Sequence, residues 1–414
     1  MNILGGSVRD LCAWCAHVLV KVELRARPAF GGSCGENWHR GANRYNRLFG
    51  ATNNYRLCVP AIIPMTHDEI LSWLRQSDEA RLADLWRSAD DTRQKYVGGD
   101  VHLRGLIEIS NYCIRLCGYC GLRAPNQSVQ RYRMTFEEIV ACVRQGEAIG
   151  YGTVVLQSGE DPGITADAMV HLIRFIKSET PLAVTLSLGE RSEAELAQWR
   201  EAGADRYLLR FETSNRQLYE RIHPSRPGGP ADRIELLRHL KTLGYEVGSG
   251  VMIGIPGQSY GDLARDIALF ADLDLDMIGC GPYLAHPSTP LGDPNRPAIV
   301  PGEDQVPNSE LMAYKVIALA RLVCPRANIP STTALATLNK QAGRELGLVR
   351  GANVVMPNLT PPQYRQLYEI YPDKACINET AEACHGCLAG RIHSIGRHVG
   401  SGRGDSPNYR RREE

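Results

Sequence analysis

From residue 105 to residue 357, short apolar runs rich in β-branched residues alternate with longer amphipathic stretches, the mark of repeated strand–helix units. Eight strands are predicted from this pattern: Gly105 to Ile109, Thr153 to Gln157, Ala183 to Leu188, Arg206 to Phe211, Val247 to Ile253, Met277 to Pro282, Asn328 to Thr333 and Ala352 to Met356. Eight parallel strands with helices between them favour an α/β fold closed into a (β/α)8 TIM barrel, with the active site at the carboxyl ends of the strands. Ahead of the barrel, Thr66 and Glu69 form a capping box before Ile70, Leu71 and Leu74, and a second helical stretch runs to about Tyr96. Residues 65–104 are therefore read as a helical extension. Residues 1–64 break the pattern; they are rich in Gly, Arg, Asn and Cys and are expected to be disordered, with Met65 as the natural start. Residues 358–399 form a carboxy-terminal segment carrying cysteines, and residues 400–414 are expected to be a disordered, solvated tail in which Arg403-Gly404-Asp405 is chance.

Composition narrows the function. The 414 residues are 43% apolar, enough for a large core, and 47 basic residues balance 46 acidic ones, so nothing points to nucleic acid. Apolar runs fall short of the roughly 20 residues that span a bilayer; the one from Leu11 to Val22 is interrupted by His17 and Lys21 and lacks signal-peptide flanks. No membrane partner and a cytoplasmic location are expected. Of the 13 cysteines, two groups sit at metal-ligand spacing rather than as a disulfide framework. The Cys12–Cys15 pair, with Cys34 and Cys58, is read as unstructured.

Directly after the first strand, Cys113, Cys117 and Cys120 are spaced CxxxCxxC, with Tyr119 before the last. Three thiolates on one loop can bind three corners of a cubane and leave the fourth iron open, whereas a structural zinc site wants a fourth ligand. This motif resembles the radical SAM (S-adenosylmethionine) superfamily. The resemblance implies a [4Fe-4S] cluster, S-adenosyl-L-methionine as cofactor, and reductive cleavage of SAM to methionine and a 5'-deoxyadenosyl radical. It also assigns a SAM pocket to Gln157, Ser158, Gly159 and Glu160 after the second strand, where Ser158 replaces a glycine. At the end of the fourth strand, Arg210 and Glu212 are two apart and so share a side; Glu212 suits the SAM ammonium, and Arg233, opening a following helix, suits its carboxylate through a two-point contact. The glycines around Gly248 to Gly257 leave a bare wall for an adenine or ribose edge.

Near the other end, Cys376, Cys384 and Cys387 are spaced Cx7CxxC, a second cluster or a zinc site completed by His385 or His393. Together with Ile107 to Asn126, Val154 to Pro162, Val184 to Glu190, Ala202 to Arg210, Gly351 to Pro361 and Tyr364 to Lys374, this pattern resembles the HydE family of radical SAM maturases of [FeFe]-hydrogenase over residues 65–405. That family often carries a second iron-sulfur cluster at this spacing, dispensable for activity. The resemblance implies a step in assembling the di-iron subcluster of the hydrogenase H-cluster. The substrate would be a cysteine-bound iron carbonyl cyanide species, a small iron-containing or amino-acid-derived molecule. Its functional partners would be HydG and HydF, with ferredoxin or flavodoxin as electron donor. By the same resemblance Thr185, Arg210, Thr332 and Thr333 contact substrate, and Tyr368 and Tyr371 close the cavity near SAM. Phe211 departs from the pattern, standing where an imidazole is expected beside Glu212. Two other readings remain: a biotin synthase or methylornithine synthase type of radical SAM enzyme acting on a small amino acid or amine, and a non-catalytic iron-sulfur protein.

Overall fold

The computed structural model describes residues 65–225, 232–295, 299 and 302–413; the expectations for residues 1–64 and their cysteines lie outside the described residues. The capping box forms as read, Thr66 Oγ1 accepting from Glu69 N at 3.3 Å and Glu69 Oε2 from Thr66 N at 2.7 Å. It opens helix His67–Arg75, and Asp78 caps helix Glu79–Val97. Both helices bury their apolar stripe, Ile70, Leu74, Leu82 and Leu85, against helices Tyr260–Asp272 and Glu310–Val323.

The strands are β1 (Asp100–Leu103), β2 (Gly105–Ser110), β3 (Thr153–Ser158), β4 (Ala183–Ser187), β5 (Arg206–Leu208), β6 (Glu246–Ser249), β7 (Met252–Ile253), β8 (Met277–Ile278), β9 (Gly281–Pro282), β10 (Val354–Val355) and β11 (His398–Val399). β2, β3, β4, β5, β6 and β8 form one parallel sheet in that order. Its register runs through Gly105 opposite Val154, Thr153 opposite Ala183, Thr185 opposite Arg206, Arg206 opposite Glu246 and Gly248 opposite Met277. The ring closes through parallel bridges Met277–Asn328, Pro330–Val354 and Leu106–Asn358, so eight staves make an α/β barrel as expected.

The fourth and eighth predicted strands are only shorter, Arg206–Leu208 and Val354–Val355, and three others differ in more than their ends. The seventh, 328–333, makes only bridges, because Pro330 has no N–H for a ladder and Thr332 already caps helix Thr333–Leu338. The fifth and sixth each split, β6 from β7 and β8 from β9. At the break Gly250 passes so near Gly279 that a Cβ would lie 2.0 Å from its carbonyl oxygen. The short pieces β7 and β9 pair with each other instead.

The tail is not a solvated end; this corrects the expectation. Residues 403–406 seal the amino-terminal end of the barrel, and Pro407–Glu413 is helical. Arg403 O accepts from Thr153 Oγ1 (2.8 Å) and Arg206 Nη2 (3.0 Å), and Gly404 O from Arg104 Nη2 (3.0 Å) and Asn328 Nδ2 (2.9 Å). Asp405 pairs with the fully buried Arg206 at 2.5 Å, and Arg206 Nε reaches Glu246 at 2.6 Å. Arg412 pairs with the buried Asp276 at 2.6 Å. Buried charges are costly unless paired, and the tail supplies the partners. Arg403-Gly404-Asp405 is thus structural.

Candidate active site

The cysteine loop leaves β2 at the carboxyl end of the barrel and is fixed by backbone hydrogen bonds on all sides: Ile114 N to Glu160 O (3.0 Å), Gly118 N to Ile222 O (2.7 Å) and Gly121 N to Ile370 O (3.0 Å). Two arginines fold back on it. Arg123 Nε donates to Cys117 O at 2.9 Å, and Arg131 Nη1 to Asn111 O and Leu122 O at 2.6 and 2.8 Å. Cys117 is buried, Cys113 and Cys120 half-buried. Burial, and then the neighbouring thiols, push the Cys117 thiol up strongly, and burial pushes Cys120 up to about 12. Three thiols buried on one loop resist losing their protons until a cation shares the charge, which is the donor set an iron-sulfur cluster satisfies.

Behind Cys117 lies a buried charge network. Arg233 donates from Nε to Glu190 Oε1 (2.7 Å), from Nη1 to Arg210 O (2.8 Å) and from Nη2 to Glu160 Oε1 (3.3 Å), with His223 Nε2 also 2.8 Å from Nη2. Arg115 reaches Glu190 at 3.1 Å and Glu160 at 3.6 Å. Two guanidinium groups balance two carboxylates, so the Glu160, Glu190 and His223 atoms, although close enough to hold an ion, already have cationic partners. Burial raises the Glu190 carboxyl, but its contacts with His223, Arg233 and Arg115 outweigh it and hold Glu190 down at about 2. Burial and Arg233 push His223 down to about 3. Glu160, by contrast, is raised by burial and by Glu190.

A cavity of about 370 Å³ runs down the barrel from Cys113, Cys117, Tyr119 and Cys120 at one end to Arg104 and Asn328 at the other, a size usual for small-molecule sites. Gln157, Ser158, Glu160, Thr185, Arg210, Glu212, Arg233, Thr332, Thr333, Tyr368 and Tyr371 all line it. Several lining atoms lack a hydrogen-bond partner: Glu160 Oε2, Glu212 Oε2, Thr185 Oγ1, and Nε and Nη2 of Arg210. Arg210 Nη2 stands 3.0 Å from Glu212 Oε2 without hydrogen-bond alignment, so the ion pair leaves both atoms with unused capacity. Glu212 sits at φ 64°, past the end of β5, and still meets Arg210 as the strand alternation predicted. Buried polar groups left unpaired in a cavity mark where a polar ligand docks.

Two expected contacts change. Arg233 lines the cavity where the resemblance expects a SAM contact, and it also ties Glu190, Arg210 O and Glu160 together, so fewer of its five N–H donors are left for a two-point grip than expected. Gly159 lies behind the cavity wall, where a Cβ would fall 2.3 Å from Tyr112 O and 2.7 Å from Cys113 Cβ. Its lack of a side chain lets the cysteine loop close down on β3. Thr332 and Thr333 sit at a helix start rather than on a strand, and Thr332 Oγ1 accepts from Leu335 N at 3.4 Å.

The second cysteine group lies on and before helix Ala381–Ser394, with Cys384 buried and Cys387 exposed. Cys376, at φ 62°, lies beside Cys384, and its Sγ is 3.5 Å from Arg344 Nη2. The Cys384 thiol, the largest influence, and the Arg344 charge hold the Cys376 thiol below its ordinary value.

A profile of the Radical SAM superfamily matches residues 107–270. The [FeFe] hydrogenase maturase subunit HydE of Thermotoga maritima is 45% identical over 316 residues, 76% of this chain and 86% of that protein. The chain belongs to the HydE family. It is a radical SAM enzyme of [FeFe]-hydrogenase maturation, and its superfamily brings a [4Fe-4S] cluster and SAM. A 3-methylornithine synthase of Methanosarcina acetivorans is 29% identical over 70% of this chain and 79% of its own. The crystal structure of methylornithine synthase superposes with a TM-score of 0.70 at 27% identity, covering 82% of this chain and 95% of that one. Against the resemblance to the HydE family drawn from motifs, the structure adds residues that motif reading passed over: Arg115, Glu190 and His223 behind the cluster loop, and the buried pair of Glu108 and Lys374 on the cavity wall. One signal was available, since Glu108 is an acid in the middle of an apolar run, Gly105–Ser110, that is buried throughout.

Proposed function

We propose that Cys113, Cys117 and Cys120 hold the [4Fe-4S] cluster and that the adjoining cavity takes SAM and then the substrate. The observation that carries this reading is the coincidence of three loop cysteines with a 370 Å³ cavity whose wall presents unpartnered carboxylate, guanidinium and hydroxyl atoms. When bound, the cluster and SAM supply reductive cleavage to methionine and a 5'-deoxyadenosyl radical. The protein's own residues orient and enclose. Glu212 Oε2 and Glu160 Oε2 take ammonium or hydroxyl donors of SAM, Gln157 and Ser158 line its place beside the loop, and Tyr368 and Tyr371 cover it. Tyr368 OH accepts from Gln157 Nε2 at 3.4 Å, which ties that cover to β3. Arg210, with Thr185, Thr332 and Thr333, receives an anionic group of the substrate, such as an amino-acid carboxylate or an iron-bound cyanide. The substrate is a cysteine-bound iron carbonyl cyanide species supplied by HydG, the product goes to HydF, and a ferredoxin or flavodoxin delivers the electron.

The carboxy-terminal trio is a second iron-sulfur site, supported by the thiol pair Cys376–Cys384 and the adjacent Arg344. No helix among the described residues is long and apolar enough to cross a membrane, and the nine described cysteines are free, in keeping with a reducing cytoplasm.

The test is anaerobic. Protein reconstituted with iron and sulfide is given SAM and dithionite, and 5'-deoxyadenosine is assayed by chromatography for wild type and Cys117→Ala. Product in the wild type that vanishes in the variant is expected. No product from a correctly assembled, SAM-binding cluster would overturn the catalytic reading.

A further inference from the structure

The ring of His223 is 1% exposed and lies near Tyr219, 5.1 Å away between centroids, and Tyr119, 6.4 Å away. Its Nδ1 is 3.0 Å from Cys117 Sγ and its Nε2 is 2.8 Å from Arg233 Nη2. A guanidinium has five donors and no acceptor, so at 2.8 Å the ring nitrogen facing it must be the acceptor. The single proton of the neutral imidazole then sits on Nδ1 and points at the sulfur. Glu190 Oε1 also lies 3.4 Å from Nε2, but it takes its donor from Arg233 Nε at the shorter 2.7 Å. Tyr119 OH lies 3.4 Å from Nδ1, farther than the sulfur. With Nε2 toward the Arg233 guanidinium and Nδ1 toward the sulfur, the two nitrogens take these separate roles.

We infer that His223 donates a hydrogen bond from Nδ1 to the Cys117 sulfur and thereby raises the reduction potential of the cluster. The inference rests on Cys117 being a cluster ligand. A donor to a ligating sulfur stabilises the extra negative charge of the reduced cluster more than that of the oxidised one. Arg233 strengthens the donor, because a cation on Nε2 polarises the ring toward Nδ1–H. His223 is a positioning residue, because its effect on the cluster passes through the Cys117 sulfur. It gives the network behind the loop a task beyond packing, since Glu190, through Arg233, decides which ring nitrogen carries the proton.

The experiment is an EPR-monitored redox titration of the reconstituted full chain, comparing wild type, His223→Leu and His223→Asn. His223→Leu removes the donor, and the ratio of reduced to oxidised cluster at a fixed potential is expected to fall about tenfold, which for one electron is about 59 mV. The side-chain amide of His223→Asn can place an N–H near the position of Nδ1 and should recover most of that ratio. A ratio for His223→Leu within twofold of wild type, at full iron content, overturns the inference. Where His223→Leu does not assemble a cluster, wild type and His223→Asn labelled with 15N-histidine decide the matter. A 15N coupling to the reduced cluster in wild type that is lost in His223→Asn supports the hydrogen bond, and an unchanged coupling overturns it. Full cluster assembly in Cys117→Ala would instead sink the ligand assignment, and the two failures are told apart by iron content.

Discussion

The sealed end of the barrel makes a quantitative prediction. Glu246 is buried, with Oε2 2.6 Å from Arg206 Nε, Oε1 3.8 Å from Arg104 Nη2, and Oε1 accepting from Ser406 N at 3.1 Å. Arg206 and Arg104 are both buried, and burial pushes Arg104 down to about 9. Glu246→Gln keeps the shape and removes the charge, leaving Asp405 as the nearest anion for two buried guanidinium groups. Breaking one side of a buried ion pair costs about 3–5 kcal/mol. Unfolding entropy of roughly 2.1 cal/mol/K per residue, over the roughly 350 residues from Ile63 onward, gives about 0.7 kcal/mol per degree, so the melting midpoint should drop by about 4–7 °C. A chain of this size need not unfold in two states, so midpoints are to be compared as first unfolding transitions at one scan rate. Because Glu246 also anchors Ser406, limited proteolysis should release the tail faster in the variant. A midpoint within about 1 °C of wild type, with equal tail protection, would refute the claim that these charges hold the barrel shut.

Complete burial pushes Asp266 up to about 7, with the Ser214 donors offsetting only part of it. A carboxyl raised in the folded state gives stability that is full below its ordinary value of 3.8 and is lost as pH rises through 7. The wild-type melting midpoint should therefore fall between about pH 4 and 7, and Asp266→Asn should flatten that slope; an identical slope in both refutes it. Gly159→Ala places a Cβ 2.3 Å from Tyr112 O, so iron and sulfide content after reconstitution should fall well below wild type, and normal content would show that the loop yields without loss. Arg210→Met removes the cation whose Nε and Nη2 lack partners. SAM cleavage should persist while hydrogenase maturation drops on the order of a hundredfold, the worth of one or two charge-assisted hydrogen bonds, and equal loss of both activities would move Arg210 to the SAM site. Cys387→Ser should lower iron content while leaving 5'-deoxyadenosine formation near wild type, and unchanged iron content would argue against a second cluster.

Where one apolar run made one stave, the strands could be read directly: β2, β3 and β4 end within one residue of expectation because each run is almost wholly buried. The later staves were harder. Gly250 and Pro330 interrupt them for reasons of close approach and a missing donor, which depend on the neighbouring strand rather than on the run itself. The cysteine loop was legible from its spacing, and Gln157, Ser158, Glu160, Arg210 and Glu212 from their place after strands, whereas Thr185, Thr332, Thr333, Tyr368 and Tyr371 came from the family resemblance; all line the cavity. The network around Arg233 was not legible, since Glu190, Glu160 and His223 come together only in three dimensions. The tail was the largest surprise. Its composition is that of a solvated end, and its burial follows from charges on Arg104, Arg206 and Glu246 that begin the staves far upstream.

That separation has a consequence for biosynthesis. Asp405 leaves the ribosome 199 residues after the Arg206 it neutralises, and Gly404 trails Arg104 by 300. Until then the two buried guanidinium groups at the base share the single carboxylate of Glu246, and the second anion, Asp405, is still to come. The residues that cap the base are thus among the last to be made, so the order of translation sets when the interior can be sealed from below.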